Sequence, residues 1–305
     1  MRFINPKTDY AFKKIFGSAE SKDILISFLN ALIYNGSSTI EDLEIINPNL
    51  PPRVQGLKDT YLDVKAKLSD GILVIIEMQV LNVQSFGKRV LFNAAKTYAF
   101  QLQAGEGYRM LKPVIALTLT DFEMFDKRKH FTSRFVYREV SDASLYPEND
   151  IELVFVELPK FTKELDQLET ITDKWIYFIK SARSLDSIPE KMNDTPELRQ
   201  AFQIANQANL NPEELEDFER REMFIYDQQG AVNLGREEGR EEGLQQGLQQ
   251  GLQQGLQQGL QQGREEEKRA IARNLLDRLD DEAIAEIAQL SLEAVRDLRA
   301  GRLQE

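Results

Sequence analysis

The stretch that most constrains the fold is residues 60–80, TYLDVKAKLSDGILVIIEMQV, because its pattern predicts a β-hairpin. Two runs rich in apolar and β-branched residues flank Ser69, Asp70 and Gly71. Glycine tolerates the positive φ angle that a tight reversal needs, so these three residues are a turn signal. Any fold for this chain must therefore contain two adjacent antiparallel strands here.

The turn also predicts which residues of the two strands lie opposite each other. If Leu68 faces Ile72, pairing outward from the turn brings Asp63 opposite Glu77. Two acidic side chains then meet on neighbouring strands.

Side chains alternate between the two faces of a strand, so the same register sorts the hairpin into an apolar face and a more polar one. The apolar face, which we expect to be buried, contains Leu62, Val64, Ala66, Leu68, Ile72, Val74, Ile76 and Met78. The other face contains Tyr61, Asp63, Lys65, Lys67, Leu73, Ile75, Glu77 and Gln79. On that face, Tyr61 falls opposite Gln79.

Opposed carboxylates on adjacent strands repel each other and lose hydration, which destabilises a fold unless a cation or a proton lies between them. Mg²⁺ resolves this conflict, because it binds hard oxygen ligands and retains several waters. The residues alone leave a second interpretation open, in which the face is exposed and Glu77 pairs with Lys65 or Lys67.

The order of Asp63, a hairpin, Glu77, one apolar residue and Gln79 resembles the core of PD-(D/E)XK nucleases, with Gln in place of the usual Lys. Two further segments agree in order and spacing, the opening NPKTDYAFKKIFG and the run 84–108. Over about residues 1–230 the chain resembles the Rpn family of recombination-promoting nucleases and transposases. It departs from the family pattern at Leu62, where Pro is usual, and at Phe92, where Tyr is expected.

The resemblance implies a metal site and a role for each residue in it. Asp63 and Glu77 would ligate Mg²⁺, with Mn²⁺ or Ca²⁺ as substitutes, and the backbone carbonyl of Met78 would be a third ligand. Gln79 would orient the attacking water, and Lys65 would neutralise charge on the scissile phosphate. Because Gln is not a strong base, the metal must lower the pKa of that water.

Further candidates come from the helices. Asp9 matches the acidic residue of the family's first helix that approaches the metal, although stabilisation of the helix N-terminus explains it equally well. Arg89 and Tyr98 match family positions on the later helix. Arg89 could hold a DNA phosphate, clamp Glu77 or be a surface cation near the sheet. Lys13 and Lys67 complete the candidates for DNA contact.

The rest of the chain predicts the other elements of a nuclease core. Apolar periodicity indicates helices over 8–34, broken near Gly17, with Thr8 as N-cap. The other predicted elements are a strand at Leu43–Ile46, a loop through Lys58, an amphipathic helix at 84–105 and strands at 112–120, 135–140 and 151–158. The prediction is an α/β fold with a restriction-endonuclease-like αβββαβ core, added helices and a helical C-terminal extension.

Charge and composition restrict the environment and the partners. The 305-residue chain has a net charge of −12, which by itself disfavours nucleic-acid binding. Residues 1–140, however, hold 19 Lys and Arg against 15 Asp and Glu, whereas 141–305 hold 19 against 35. The chain has no cysteine, no apolar leader and no membrane span, so we expect a soluble cytoplasmic protein that binds DNA and no membrane. Its single histidine, His130, lies in a basic connector and is expected at the surface.

We divide the chain into a nuclease core (1–160), a helical segment that packs on it (161–230), a repeat (231–263) and a small helical C-terminal domain (264–305). In the repeat Gly recurs every fourth residue from Gly235 to Gly263, with Leu after each Gly in its middle portion. A period of four overshoots the helical 3.6 by about 40° per step, and each interior Gly costs about 1 kcal/mol relative to Ala. We therefore expect an extended spacer that becomes helical when it pairs with a second copy, so the protein would be a homo-oligomer through its repeat and C-terminal helices.

The C-terminal segment predicts three short helices, with Ser291 as the N-cap of the last. Their order outlines a helix-turn-helix, but Glu293 and Asp297 disfavour phosphate contacts, which favours an oligomerisation or partner-binding domain. The apolar positions are Ile271, Leu275, Leu276, Leu279, Ile284, Ile287, Leu290, Leu292, Val295 and Leu298.

The leading function is a metal-dependent DNA endonuclease associated with recombination, transposition or defence against foreign DNA. Two alternatives are an inactive nuclease fold that binds DNA or regulates, and a protein-interaction scaffold organised by the repeat. Metal-dependent cleavage separates the first from both others, and DNA binding without cleavage separates the second from the third.

Overall fold

The computed structural model describes residues 2–50 and 60–302, and the chain divides into two units, Met1–Gly230 and Ala231–Glu305. The loop predicted through Lys58 lies outside the described residues. Among the helices of the described residues, none combines the length and the apolar character that a membrane crossing requires.

Unit 1 begins with two helices, α1 (Asp9–Phe16) and α2 (Lys22–Ile33). The Thr8 side chain accepts a hydrogen bond from a backbone N–H of α1, which confirms the predicted N-cap. The predicted break at Gly17 is confirmed as well. A Cβ at Gly17 would lie 2.8 Å from the Lys13 carbonyl oxygen, so a larger residue there would force the backbone to shift.

Within the described ranges 2–50 and 60–302, eight strands follow in chain order. They are β1 (Leu43–Ile46), β2 (Asn49–Leu50), β3 (Thr60–Tyr61), β4 (Val64–Leu68), β5 (Leu73–Gln79), β6 (Val114–Thr120), β7 (Thr132–Phe135) and β8 (Ile151–Glu157). Six of them form one mixed sheet in the order β1-β4-β5-β6-β8-β7, and β2 pairs with β3. With α3 (Phe86–Ala99) between β5 and β6, the chain has the predicted αβββαβ core, and the predicted fold class is confirmed.

The register of the hairpin is also confirmed. Val64 pairs with Ile76, and the Leu68 N–H donates to the Ile72 carbonyl at 2.8 Å. This register places Asp63 one position beyond the last pair of the β4–β5 ladder.

The placement of Tyr61 differs from the prediction. The first strand is interrupted at Leu62 and Asp63, so Tyr61 pairs with Asn49 of β2 instead of lying opposite Gln79. The interruption also moves Leu62 into the apolar cluster on the other side of the sheet from Val64 and its neighbours.

Both faces of the hairpin are buried, each by a different layer. Ala66, Val74 and Ile76 pack in one cluster with residues of α1 and α2. Leu73 and Ile75, on the face predicted to be more polar, pack in a second cluster with residues of α3. The interpretation of this face as exposed is therefore wrong.

Two predicted boundaries are wrong. The helix predicted to reach Gly105 ends at Ala99, because the Gln101 side chain bonds the backbone N–H and carbonyl of Lys112 at the entry to β6. The strand predicted over 135–140 is β7, which ends at Phe135, because the following backbone pairs with residues 144 and 146 of its own loop. The predicted strand over 112–120 corresponds to β6 and is buried throughout.

The remaining helices of unit 1 are α4 (Ile171–Ser181), α5 (Glu190–Asn193), α6 (Pro196–Ala205) and the first part of α7 (Pro212–Leu275). Most of the packing residues predicted over 163–228 are fully buried, namely Trp175, Phe178, Ile179, Phe202 and Phe218, and Leu215 is partly buried against them. Helices α4 and α6 pack against α1 and α2, in the same apolar cluster as Val74 and Ile76 of the sheet. His130 is exposed, also as predicted.

In unit 2, α7 continues through the whole repeat as one helix, so the predicted extended spacer is wrong. Leu, Gln, Arg and Glu fill three of every four positions of 235–263 and are good helix formers, and no proline or β-branched residue interrupts this stretch. The five repeat leucines are 58–75% exposed.

After α7, helices α8 (Asp281–Ala288) and α9 (Leu292–Arg302) enclose a small core of Ala272, Leu276, Ile284, Ala288 and Val295. The Ser291 hydroxyl accepts a hydrogen bond from the Ala294 N–H, which confirms it as a cap. The predicted apolar positions Ile271, Leu279 and Ile287 are instead exposed, because this core has room for only one face of each short helix.

Candidate active site

The interruption between β3 and β4 positions Asp63 at the mouth of a cleft. Its side chain is 14% exposed, and Oδ2 accepts a hydrogen bond from the Met78 N–H at 2.8 Å. The N–H and carbonyl of one strand residue leave on the same side, so the Met78 carbonyl is also directed towards β4. The Met78 N–H therefore holds Asp63 against β5, and the carbonyl of the same residue lies on the side where a metal ligand is needed.

Glu77 lies on β5 and is held by α3. Its side chain is 14% exposed, and Oε1 accepts a hydrogen bond from Asn93 Nδ2 at 3.2 Å. The Nε of Arg89 lies 3.7 Å from the same oxygen. Glu77 thus pairs with neither Lys65 nor Lys67.

Gln79 lies two residues further along β5, and both polar atoms of its side chain have hydrogen-bond partners. Its Oε1 accepts a hydrogen bond from Arg89 Nη2 at 2.6 Å, and its Nε2 donates to the Leu81 carbonyl at 2.7 Å. Arg89 therefore contacts both Glu77 and Gln79.

Asp9 approaches the site from the start of α1. Its Oδ1 lies 2.6 Å from Lys13 Nζ, and the same ammonium lies 3.5 Å from Asp63 Oδ1. Arg221 of α7 binds the other oxygen of Asp9, with Nη1 2.9 Å from Oδ2. Asp9 is therefore bound by two cations, one on each oxygen.

These groups surround a cleft of about 400 Å³. Its lining residues are Asp9, Thr60, Tyr61, Asp63, Glu77, Met78, Gln79, Arg89, Phe92 and Asn93. The fold thus brings together four of the predicted site residues, Asp9, Asp63, Glu77 and Gln79, with the Met78 backbone and Arg89.

Four predicted residues do not line this cleft, although one of them, Lys13, contacts Asp9 and Asp63. Lys67 lines a different cavity beside Asp42, and the Tyr98 hydroxyl donates to Asp150 at another cavity. Lys65 is half-buried on β4, opposite Ile75, where burial lowers the pKa of its ammonium. Alternation of side chains puts Lys65 and Lys67 on the same hairpin face as Glu77, but Leu73 and Ile75 on that face are packed in an apolar cluster, and the two lysines lie beyond the cleft.

The buried carboxyls have perturbed pKa values. Burial raises the pKa of Asp63 to about 8, and a hydrogen bond with Asp9 adds to the increase. Burial acts to raise the pKa of Asp9 too, but hydrogen bonds with Asp63 and Lys13 outweigh it and lower that pKa. Burial also raises the pKa of Glu77, against the opposing effects of Arg89 and Asn93. The two neighbouring carboxyls therefore differ, with the pKa of Asp63 raised and that of Asp9 lowered.

This donor set fits a divalent cation. Across residues 2–50 and 60–302 no group of three or more His, Cys, Asp or Glu side chains is arranged to hold a metal. The cleft offers two carboxylates, from Asp63 and Glu77, and the Met78 carbonyl, which suits an ion that retains several waters. A cation would take the place of the proton that relieves the repulsion between buried carboxylates.

A family model for PD-(D/E)XK nuclease family transposases matches residues 6–235. The chain belongs to this family. The match includes all the cleft residues and confirms the resemblance seen in the sequence. No curated protein and no solved structure matches the chain significantly.

Membership of the PD-(D/E)XK family indicates a nuclease or transposase-like role, with DNA as the substrate or partner. Nucleases of this family generally use divalent metal ions. The family and the donor set of the cleft therefore point to the same chemistry.

Two contacts of this PD-(D/E)XK site were not predicted. Asn93 lies four residues after Arg89 on the same helix face, so helical spacing could have indicated it. Arg221 is separated from Asp9 by more than two hundred residues. No local pattern connects Arg221 to the site, and only the packing of α7 does so.

Proposed function

We propose that the protein is a Mg²⁺-dependent DNA endonuclease that acts in recombination, transposition or defence against foreign DNA. The observation that supports this most is the pair of largely buried carboxylates, Asp63 and Glu77, on a cleft rimmed by cations. Burying two carboxylates costs stability unless their charges are balanced, and Lys13 and Arg89 approach them only to 3.5 and 3.7 Å. Such a pair is retained where a further cation is required.

In this proposal Asp63, Glu77 and the Met78 carbonyl hold the ion. When bound, Mg²⁺ supplies a water with a lowered pKa and an electrophile for the phosphate oxygen. The Gln79 amide orients that water, because amides donate and accept hydrogen bonds but do not take up a proton. Arg89 turns from Gln79 to the phosphate, for which its planar guanidinium is suited. Lys65, Lys67 and Tyr98 have no part in this scheme, since none of them lines the cleft.

The test is cleavage of supercoiled plasmid by purified protein in Mg²⁺ and in EDTA. We expect nicking in Mg²⁺ only, and Asp63→Ala and Glu77→Ala should each lower the rate by at least about a hundredfold. Glu123→Ala removes an exposed carboxylate and is the matched control. Cleavage that persists in EDTA or in both site variants would refute the proposal. Binding without cleavage would support a DNA-binding module instead.

We also propose that the protein is a homo-oligomer through its repeat. Leu244, Leu248, Leu252, Leu256 and Leu260 form an exposed row at a spacing of four residues, beside a parallel row of glycines. Rows with a spacing of four are the ridges and grooves of the commonest class of helix packing. A second copy offers a matching ridge and groove, so each leucine row can enter the partner's glycine row.

A further inference from the structure

Arg221 has a free hydrogen-bonding edge next to the candidate active site. Its Nε lies 2.8 Å from Asp217 Oδ2 and its Nη1 lies 2.9 Å from Asp9 Oδ2. Its Nη2 has no partner among residues 2–50 and 60–302. The guanidinium is therefore oriented by two carboxylates and keeps donors available for a further anion.

The position of Arg221 relates it to Asp63. Asp9, which it binds, lines the cleft, and Lys13 bridges Asp9 to Asp63. The side chains of Lys13 and Arg221 are 40% and 45% exposed, so a ligand can reach both cations. Arg89, with 44% exposure, is the corresponding cation beside Glu77.

Asp9 explains why two cations remain close together at this place. Two positive charges repel, and the ionised carboxylate between them offsets that repulsion while fixing their directions. A guanidinium held in this way loses less side-chain entropy when it binds a phosphate, because its orientation is already set.

We propose that Arg221, together with Lys13, binds a backbone phosphate of the substrate DNA on the Asp63 side of the cleft. This inference rests on the proposed nuclease function and adds a contact that belongs to α7. The DNA backbone then contacts Arg89 beside Glu77 and the Arg221–Lys13 pair beside Asp63. Each of the two proposed metal-binding carboxylates therefore has a phosphate-binding cation next to it.

The experiment measures binding of a fluorescent DNA duplex to the full-length protein over a range of salt concentrations, with Ca²⁺ replacing Mg²⁺. Arg221→Ala should weaken binding about tenfold at low salt and reduce the slope of log K against log salt by about one. Arg221→Lys should recover most of that slope, because it restores the charge.

Arg220 provides a matched control, because it is the neighbouring residue on α7 and has the same charge. Its side chain is 69% exposed, and it contacts Asp217, not Asp9. Arg220→Ala should leave the salt slope unchanged. Since both variants change the net charge equally, a difference between them reports a local contact and not the overall field of the protein.

Arg221→Ala also removes a tie between α7 and α1, so the melting temperature of each variant is measured alongside binding. If the alanine variant does not fold, Arg221→Gln keeps a donor for Asp9 without the charge, and the same loss of slope is expected. Equal behaviour of the Arg220 and Arg221 variants would overturn the inference and leave the nuclease proposal standing. If wild type does not bind DNA at all, it is the nuclease proposal that fails.

Discussion

The two units of the protein place opposite kinds of groups in unfavourable surroundings. In unit 1 the residues of the main core are fully buried, as Leu25 at 0% exposure shows, and the carboxyls of Asp63 and Glu77 lose hydration. In unit 2 the repeat leaves apolar side chains in water, as Leu252 at 74% exposure shows.

The difference indicates what each unit needs in order to reach its most stable state. A buried pair of carboxylates is stabilised by a cation, and an exposed row of leucines is stabilised by another apolar surface. We infer that unit 1 binds a metal ion and a phosphate, and that unit 2 packs against a second copy of itself. Four predictions test this contrast, in order of decreasing effect.

The largest effect is expected from removing the repeat. Truncation after Asn233 should convert the oligomer to a species of lower order, because the exposed leucine row is lost. The metal site should remain, since every residue that lines it precedes the cut. Light scattering measures the mass of both proteins, and thermal melting with and without Mg²⁺ reports the site. A full-length monomer would show that the repeat has no role in assembly.

A matched pair of substitutions compares buried and exposed leucines directly. Leu25→Ala should lower the free energy of unfolding of unit 1 by about 2–5 kcal/mol, because it leaves a cavity in the core. Leu252→Ala should change it by less than about 0.5 kcal/mol. Urea denaturation followed by fluorescence of Trp175, the single buried tryptophan of unit 1, measures both. Similar effects of the two substitutions would contradict the contrast.

Substitutions in the glycine row of the repeat can distinguish the stability of the helix from the association of two copies. A Cβ added at Gly247, Gly251 or Gly255 meets nothing within 4 Å in the single chain. Replacing all three with Ala should stabilise the helix by about 1 kcal/mol each but weaken association, because the methyl groups fill the groove.

The control for this variant is Ala at Gln246, Gln250 and Gln254, which lie on the helix face away from the leucine row. Circular dichroism reports helicity, and light scattering at several concentrations reports association. Association that is unchanged or stronger in the glycine variant would show that the copies do not pack through this row.

The smallest effect concerns pH and unit 1. A metal ligand must be deprotonated, and Asp63 has a pKa raised to about 8, so Mg²⁺ affinity should rise about tenfold per pH unit below about 8 and level off above it. The raised pKa also means that protonated Asp63 stabilises the metal-free protein at low pH, and this contribution to the free energy of unfolding is lost as the pH rises through about 8.

Titration calorimetry at several pH values measures the Mg²⁺ affinity. An affinity independent of pH would contradict the raised pKa of Asp63.

Much of the site could be predicted from the sequence because the relevant patterns are local. The turn at Ser69, Asp70 and Gly71 fixes the register, and strand alternation then brings Asp63 to Glu77 and separates them from the apolar face. The αβββαβ order follows in the same way from periodicity within each segment. These features need only the geometry of strands and helices.

Other features depend on which distant surfaces bury one another, and only the tertiary structure decided them. Packing by α3 buried the second face of the sheet and left Lys65 outside the cleft, and the Arg221 contact with Asp9 arises from a helix more than two hundred residues away. The repeat lies within one helix although its glycines disfavour a helix; its other residues are good helix formers and no proline interrupts it. The sequence by itself determined the acidic pair and its register, whereas long-range burial determined which cations surround the pair.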